Sequence, residues 1–307
     1  MTARQQDSKT NYVIMKNCSK AILILILLGL NRSLPAQVDA FKPDFNKPQV
    51  INGMTLIWND EFNVKGKPDS SVWRYENGFV RNNELQWYQS ENASCKGGVL
   101  IIEGRKEKIK NPGFVSGSSY WKQNREFAEY TSASIQTHGN IQWQYGRFEI
   151  RARIDTLIGA WPAIWTQGIK GQWPSNGEID IMEFYRINNV PTILANVAWG
   201  TGERFKAKWD SEKTPLSNFT KKDPAWVRKF HVWRMDWDED SIKLFIDDVI
   251  INTTSLSETV NPDGFNPFKQ PHYLLLNLAL GANGGDPAGT KFPIRYEIDY
   301  VRVYQKK

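Results

Sequence analysis

The stretch Gly177-Glu178-Ile179-Asp180-Ile181-Met182-Glu183-Phe184 sets three acids among large apolar residues. From 178 to 181 acid and apolar positions alternate. That is the period of a strand with one face in a core and the other in a polar setting. A regular strand would place Glu178, Asp180 and Met182 on one face. It would turn Glu183 to the other face, with Ile179 and Ile181, toward the core. An unpaired carboxylate is costly there. One inserted residue near Met182, a β-bulge, returns Glu183 to the side of Glu178 and Asp180.

Like charges along one strand face repel. A merely solvated strand is the competing reading, but such a strand normally mixes in Lys or Thr. Glu178 and Glu183 stand about four strand steps apart, ~13 Å along the backbone. Two side chains leaning together on a curved sheet close much of that distance. Retaining glycoside hydrolysis uses two carboxyls about 5–5.5 Å apart, one as nucleophile and one as acid/base. Clustered acids tend to mark sites, so this stretch is read as catalytic.

Outward from it, the chain is a series of short alternating or apolar runs separated by turn residues. Strands are expected at 54–58, 99–103, 132–136, 146–154, 160–166, 178–184, 193–198, 231–237, 241–246, 273–280 and 296–304. Helical periodicity is nearly absent, with a turn or two expected at 223–230. Many short strands with no helix between them predict an all-β fold, an antiparallel two-sheet sandwich. No internal repeat or low-complexity linker interrupts 41–307, which is read as a single domain after a Pro-containing lead-in at 42–49. Two polar stretches, 108–126 and 202–223, are expected to be long loops, either functional or surface decoration.

Residues 1–36 read as a secretion signal. Lys16 and Lys20 precede the apolar run Ala21-Ile-Leu-Ile-Leu-Ile-Leu-Leu28, and Leu34-Pro35-Ala36 offers a cut before Gln37. Met15 is an alternative start. The apolar run, about ten residues, is short for a bilayer span. Export without a membrane anchor is expected, to the periplasm or outside the cell. The leader holds Arg4, Lys9, Lys16, Lys20 and Arg32 against Asp7, so it carries +4 of the formal +6 and leaves +2. That near-neutral balance gives no support for a nucleic-acid partner. Cys18 falls in the leader, so Cys95 stands alone and is read as a packed thiol. The 13 tryptophans suit either a thick core or platforms for sugar rings. His138, His231 and His272 show no zinc spacing.

Six segments then appear in a telling order: Asn59-Asp60-Glu61-Phe62, Asn83-Glu84-Leu85-Gln86, Tyr145-Gly146-Arg147-Phe148-Glu149, Trp161-Pro162-Ala163-Ile164-Trp165, the acidic stretch, and Asp299-Tyr300-Val301-Arg302-Val303-Tyr304. Together, over about 54–304, they resemble glycoside hydrolase family 16, the β-jelly-roll endoglycanases with an open cleft on the concave face. The two residues between Asp180 and Glu183 resemble the laminarinase-like and galactanase-like branches. The resemblance implies Glu178 as nucleophile and Glu183 as acid/base, with Asp180 tuning the nucleophile. Crowding makes it hard for all three to ionise, and Glu183 is expected to have the raised pKa. By spacing alone Trp161 and Trp165 share a face that is either core or sugar platform. The resemblance puts them in the cleft, with Asn83 and Glu84 near its non-reducing side. Trp199 and Trp173 are further candidates for substrate binding.

The resemblance also implies a structural calcium held by the backbone near Glu61 and Gly98 and by the Asp299 side chain. A hard cation on carbonyls and one carboxylate is chemically sound. The competing reading is that Asp299 pairs with a cation such as Arg302. No cofactor is expected for catalysis, and the expected partner is a polysaccharide or oligosaccharide bound by a monomer. Three positions depart from the laminarinase pattern. Ser134 stands where an Arg is common, Ala198 where a His is usual, and Asn283-Gly284-Gly285-Asp286 where a Trp is usual. An endo-β-1,3-glucanase is the leading expectation. The alternatives are an endo-β-galactanase type (agarase, porphyranase, carrageenase, or keratan- or lactosamine-cleaving), a transglycosylase, and a non-catalytic sugar-binding sandwich.

Overall fold

Alternation along the chain becomes two large antiparallel sheets facing each other across an apolar core. The computed structural model describes residues 38–307, so the expected leader and its cut lie outside the described residues. One sheet runs in the order Val249–Ser255, Ser241–Ile246, His231–Trp237, Gly146–Ile154, Ile294–Lys306, Leu100–Gly104, Ala93–Cys95. Met54–Asp60 also pairs with its long Ile294–Lys306 strand. The other sheet runs Ala207–Pro215, Val190–Gly200, Glu178–Ile187, Ala160–Gly168, His272–Leu280, Ser134–Gln136, Arg74–Tyr75. A small parallel pair, Gln86–Tyr88 with Tyr130–Ser132, lies outside both.

The core is built by alternate residues. Phe148, Ile150, Ala152 and Ile154 of one sheet and Ile164, Ile179, Phe184 and Leu276 of the other belong to one buried cluster. Each large apolar side chain fully removed from water contributes roughly 1.5–3 kcal/mol. Among the described residues no helix is long and apolar enough to cross a membrane. At 223–230 the expected helical turn is a three-residue 3₁₀ turn, Trp226–Arg228.

The acidic strand carries the expected bulge. It spans Glu178–Ile187. On one side Ile164 pairs with Met182 but Trp165 with Asp180; on the other Asp180 pairs with Asn196 and Glu183 with Leu194. Ile181 and Met182 are both fully buried in the core, so two consecutive residues point inward. The acids on either side therefore share the outer face. Gly177 opens this strand at φ 78°, where an added Cβ would meet Pro267 at 2.8 Å, so conformation and space both require glycine.

One expected loop is corrected. The 202–223 stretch contains an edge strand, Ala207–Pro215, paired along its whole length with Val190–Gly200. Its charges sit on an edge, where they discourage pairing with another chain. The 108–126 stretch is a loop closed at its base by Ile109–Lys110 against Phe127–Ala128.

Candidate active site

The outer face of the second sheet carries a cavity of about 630 Å³. Glu178, Asp180 and Glu183 enter it from the bulged strand, and Trp161, Trp165 and Gln167 from the neighbouring strand Ala160–Gly168. Trp173 reaches it from the connection before the acidic strand. Asn83 and Glu84 close one end. Of the eight residues expected for catalysis and substrate binding other than Trp199, five thus meet on strands, and Trp173, Asn83 and Glu84 meet them from connections.

Each catalytic candidate is held by side-chain donors. Gln167 Nε2 and Trp173 Nε1 donate to Glu178 Oε2 at 3.2 and 3.1 Å. Tyr273 OH donates to Gln167 Oε1 at 2.8 Å and fixes that amide. Trp161 Nε1 donates to Glu183 Oε1 at 3.0 Å. Asn196 Nδ2 donates to Asp180 Oδ2 and to Glu183 Oε2, both at 3.0 Å. Trp165 Nε1 donates to Asn277 Oδ1 at 2.7 Å, and Arg81 lies over the Trp165 ring at 5.0 Å. The two tryptophans thus hold their polar edges in the network, as expected of half-wet aromatic walls.

Electrostatics pushes all three acids upward. Burial, then the charge of Glu183, raises Glu178 to about 7; Gln167, Arg81 and Trp173 oppose this. Burial and both neighbouring glutamates push Asp180 well above the usual carboxylate range. Glu183 is raised by burial, but its bonds with Trp161, Asp180 and Asn196 draw it back. Glu183 was expected to be the raised group. In the structure Glu183 is raised, as expected, but so are Glu178 and Asp180; Asp180, at 2% exposure, also hydrogen-bonds Glu183.

Trp199 is corrected outright. It is buried in the inter-sheet core, on the face of its strand opposite the cavity. The tryptophan that does line the cavity from this side is Trp209, 45% exposed on the edge strand. Glu84 lines the cavity but is 2% exposed. Its carboxylate accepts from Gln86 Nε2 at 2.6 Å and Asn82 Nδ2 at 3.3 Å, so it holds the turn in which Asn82 and Asn83 have φ of 57° and 53°. Asn tolerates that left-handed region. Arg125 Nη2 donates to Glu84 O at 2.9 Å, tying the 108–126 loop to the same turn.

Of the donors expected for calcium, the Asp299 carboxylate is already committed to other partners. The Asp299 carboxylate is buried against the Arg151 guanidinium and accepts from Asp44 N at 3.0 Å. Glu61 forms a two-pronged pair with Arg302 at 2.8 and 2.9 Å. Gly98 is covered by the Phe45 ring, 2.5 Å from where a Cβ would stand. The competing reading of Asp299 as an ion-pair partner describes this region better, with Arg151 in place of Arg302.

A family model described as glycosyl hydrolases family 16 matches residues 84–302. This chain belongs to glycoside hydrolase family 16. A β-glucanase of Rhodothermus marinus is 36% identical over 273 residues, covering 81% of this chain and 85% of that protein. The laminarinase catalytic domain of Thermotoga maritima MSB8 superposes with a TM-score of 0.68 at 30% identity, over 83% of this chain and 99% of that one. A chain from work on endo-acting O-glycanases, which prominent members of the human gut microbiota express to initiate mucin breakdown, superposes with a TM-score of 0.76 at 33% identity. It covers 85% of this chain and 94% of that one. The family-16 match makes this protein a glycoside hydrolase, and its antiparallel all-β sheets are those of the family-16 jelly roll.

Sequence reasoning missed several family-16 cavity residues. Gln167 carried a signal, because it continues the period-two face of Trp161, Ala163 and Trp165. Asn196 and Asn277 sit in largely apolar strands, and only register brings Asn196 to the acids and Asn277 to the Trp165 indole. Tyr185 lies past the bulge and packs edge-on against Trp161 at 5.4 Å.

Proposed function

We propose that this chain is an exported, monomeric, retaining endo-β-glycoside hydrolase whose leading substrate class is β-1,3-glucan. The observation that carries the reading is the bulge at Ile181 and Met182, which delivers Glu178, Asp180 and Glu183 to one cavity walled by Trp161 and Trp165. Glu178 attacks the anomeric carbon while Glu183 gives its proton to the departing glycosidic oxygen. A covalent glycosyl-enzyme forms. Glu183, now a carboxylate, takes a proton from water, which attacks the same carbon and releases Glu178. Asp180 shares its proton with Glu183 and keeps that group supplied in the first step. Asn196, bonded to both, fixes their orientation. Gln167 and Trp173 support Glu178 as the carboxylate, since their N–H groups favour its charged form.

A second reading, an endo-β-galactanase or lactosamine-cleaving enzyme, is favoured by Ser134 and Ala198. Ser134 Oγ donates to Glu76 Oε2 at 2.6 Å, so that position supplies no cation to the cavity. The likeness to the O-glycanase chain points the same way. The test is incubation of the mature protein with laminarin, mixed-linkage glucan, agarose, porphyran, carrageenan and keratan-type glycans, followed by sizing of the products. Internal cuts in laminarin support the first reading. Cuts only in a galactan or lactosamine chain move the assignment to the second. Binding without cleavage of any polymer contradicts both.

A further inference from the structure

We propose that Trp209 forms a sugar-stacking subsite beside Glu178, at the end of the cavity opposite the turn that carries Asn83. This deepens the glycoside hydrolase reading and rests on it. Strand register places the residues. Tyr273 pairs with Gln167, Gln167 with Glu178, Glu178 with Ala198, and Ala198 with Trp209. Residues paired directly across antiparallel strands project from the same face. The five therefore form one lateral row on the outer face, with Trp209 at its edge. At ~4.8 Å between neighbouring strands, the Trp209 backbone lies about 10 Å from that of Glu178. Ala198, between them, contributes only a methyl group and is fully buried, so the indole is the first large side chain on that side of Glu178.

Trp209 faces the same cavity as the three acids and is 45% exposed. Its neighbour Asp210 turns the other way and accepts from Thr254 Oγ1, of the opposite sheet, at 2.6 Å. That bond and the full pairing with Val190–Gly200 set the indole's face. A large aromatic that packs no core, held open at the rim of a cavity lined by Trp161, Trp165 and Glu178, suits the apolar C–H face of a pyranose. The occupant is thus a neutral sugar ring of the substrate chain, adjoining the ring attacked at Glu178.

The two ends of the cavity make opposite predictions. The probe is laminarihexaose with its reducing end labelled by ¹⁸O, and the readout is the distribution of bonds cut. Trp209→Ala raises KM about three- to tenfold, the scale of one aromatic stacking contact, with kcat little changed. It also shifts the preferred cut along the hexamer in the direction opposite to the shift caused by Asn83→Ala. Trp209→Phe keeps the parental pattern. Parental KM and cuts in Trp209→Ala, or a shift in the same direction as Asn83→Ala, overturn the subsite. A parent that cuts no laminari-oligosaccharide contradicts the β-1,3-glucan reading instead. The same variants are then compared on an oligosaccharide of whichever glycan in the panel the parent cleaves.

Discussion

Glu178–Ile187 and Ala207–Pro215 are strands of one sheet, two places apart, and both reach the cavity. The first is legible in the sequence, whereas the second carries the pattern of a polar loop. The difference is coverage. The acidic strand has a neighbour on each side and the inter-sheet core beneath it, so its inward positions from Ile179 to Phe184 are apolar and the period shows. The edge strand has one partner, and Lys208, Asp210, Glu212 and Lys213 spread charge over both its faces. Edge strands need such charge, and it erases the period by which strands are recognised. A functional tryptophan on such a strand is therefore hidden from pattern reading while lying as close to the chemistry as the residues that are seen.

The largest expected effects fall on the legible strand. Glu178→Gln and Glu183→Gln should each lower kcat by on the order of 10⁴-fold while the chain stays folded, because without Glu178 no glycosyl-enzyme forms and without Glu183 the first step loses its acid and the second its base. Inserting one alanine between Met182 and Glu183 tests the register itself. It turns Glu183 toward the core, which should cost about 3–5 kcal/mol of stability in denaturant melts and abolish cleavage. Retained activity in that variant would show that this register does not position Glu183.

The next comparison sets two tryptophans on adjacent strands against each other. Trp199 is core and Trp209 is rim. Trp199→Ala should destabilise by about 3–5 kcal/mol. Trp209→Ala should stay within about 0.5 kcal/mol of the parent.

A smaller effect concerns pH. Glu178 is raised from its usual 4.5 to about 7. It must be ionised to attack, so kcat/KM should fall as pH drops through about 7. The sign for stability is the reverse of the usual carboxylate. The folded state holds this proton more tightly than the unfolded chain. Its contribution therefore favours folding at low pH and is lost between about 4.5 and about 7 as pH rises. Trp173→Phe removes one donor to Glu178. It should move the acidic limb of kcat/KM upward by roughly one unit, the shift that ~1.4 kcal/mol represents.

The sandwich, the bulge and the three acids could be read because burial imposes period and an isolated buried carboxylate demands an explanation. The Trp161 and Trp165 walls came from spacing together with resemblance. What escaped was set by neighbours distant in sequence. Asn196 and Asn277 acquire their roles from register across strands. The upward push on Asp180 depends on three carboxyls being buried together. The ion pairs of Asp299 with Arg151 and of Glu61 with Arg302 join residues 148 and 241 positions apart. Trp199 and Trp209 were indistinguishable by residue type, and only the face each presents separates them.

The central claim is that the bulge makes Glu178 the nucleophile of a double displacement. The direct measurement is to trap the intermediate with a 2-deoxy-2-fluoro glycoside of the cleaved sugar and locate the adduct by peptide mass spectrometry. The account predicts a single glycosyl ester on Glu178. An adduct on Glu183 or Asp180, or a first product of inverted anomeric configuration by proton NMR, would contradict it.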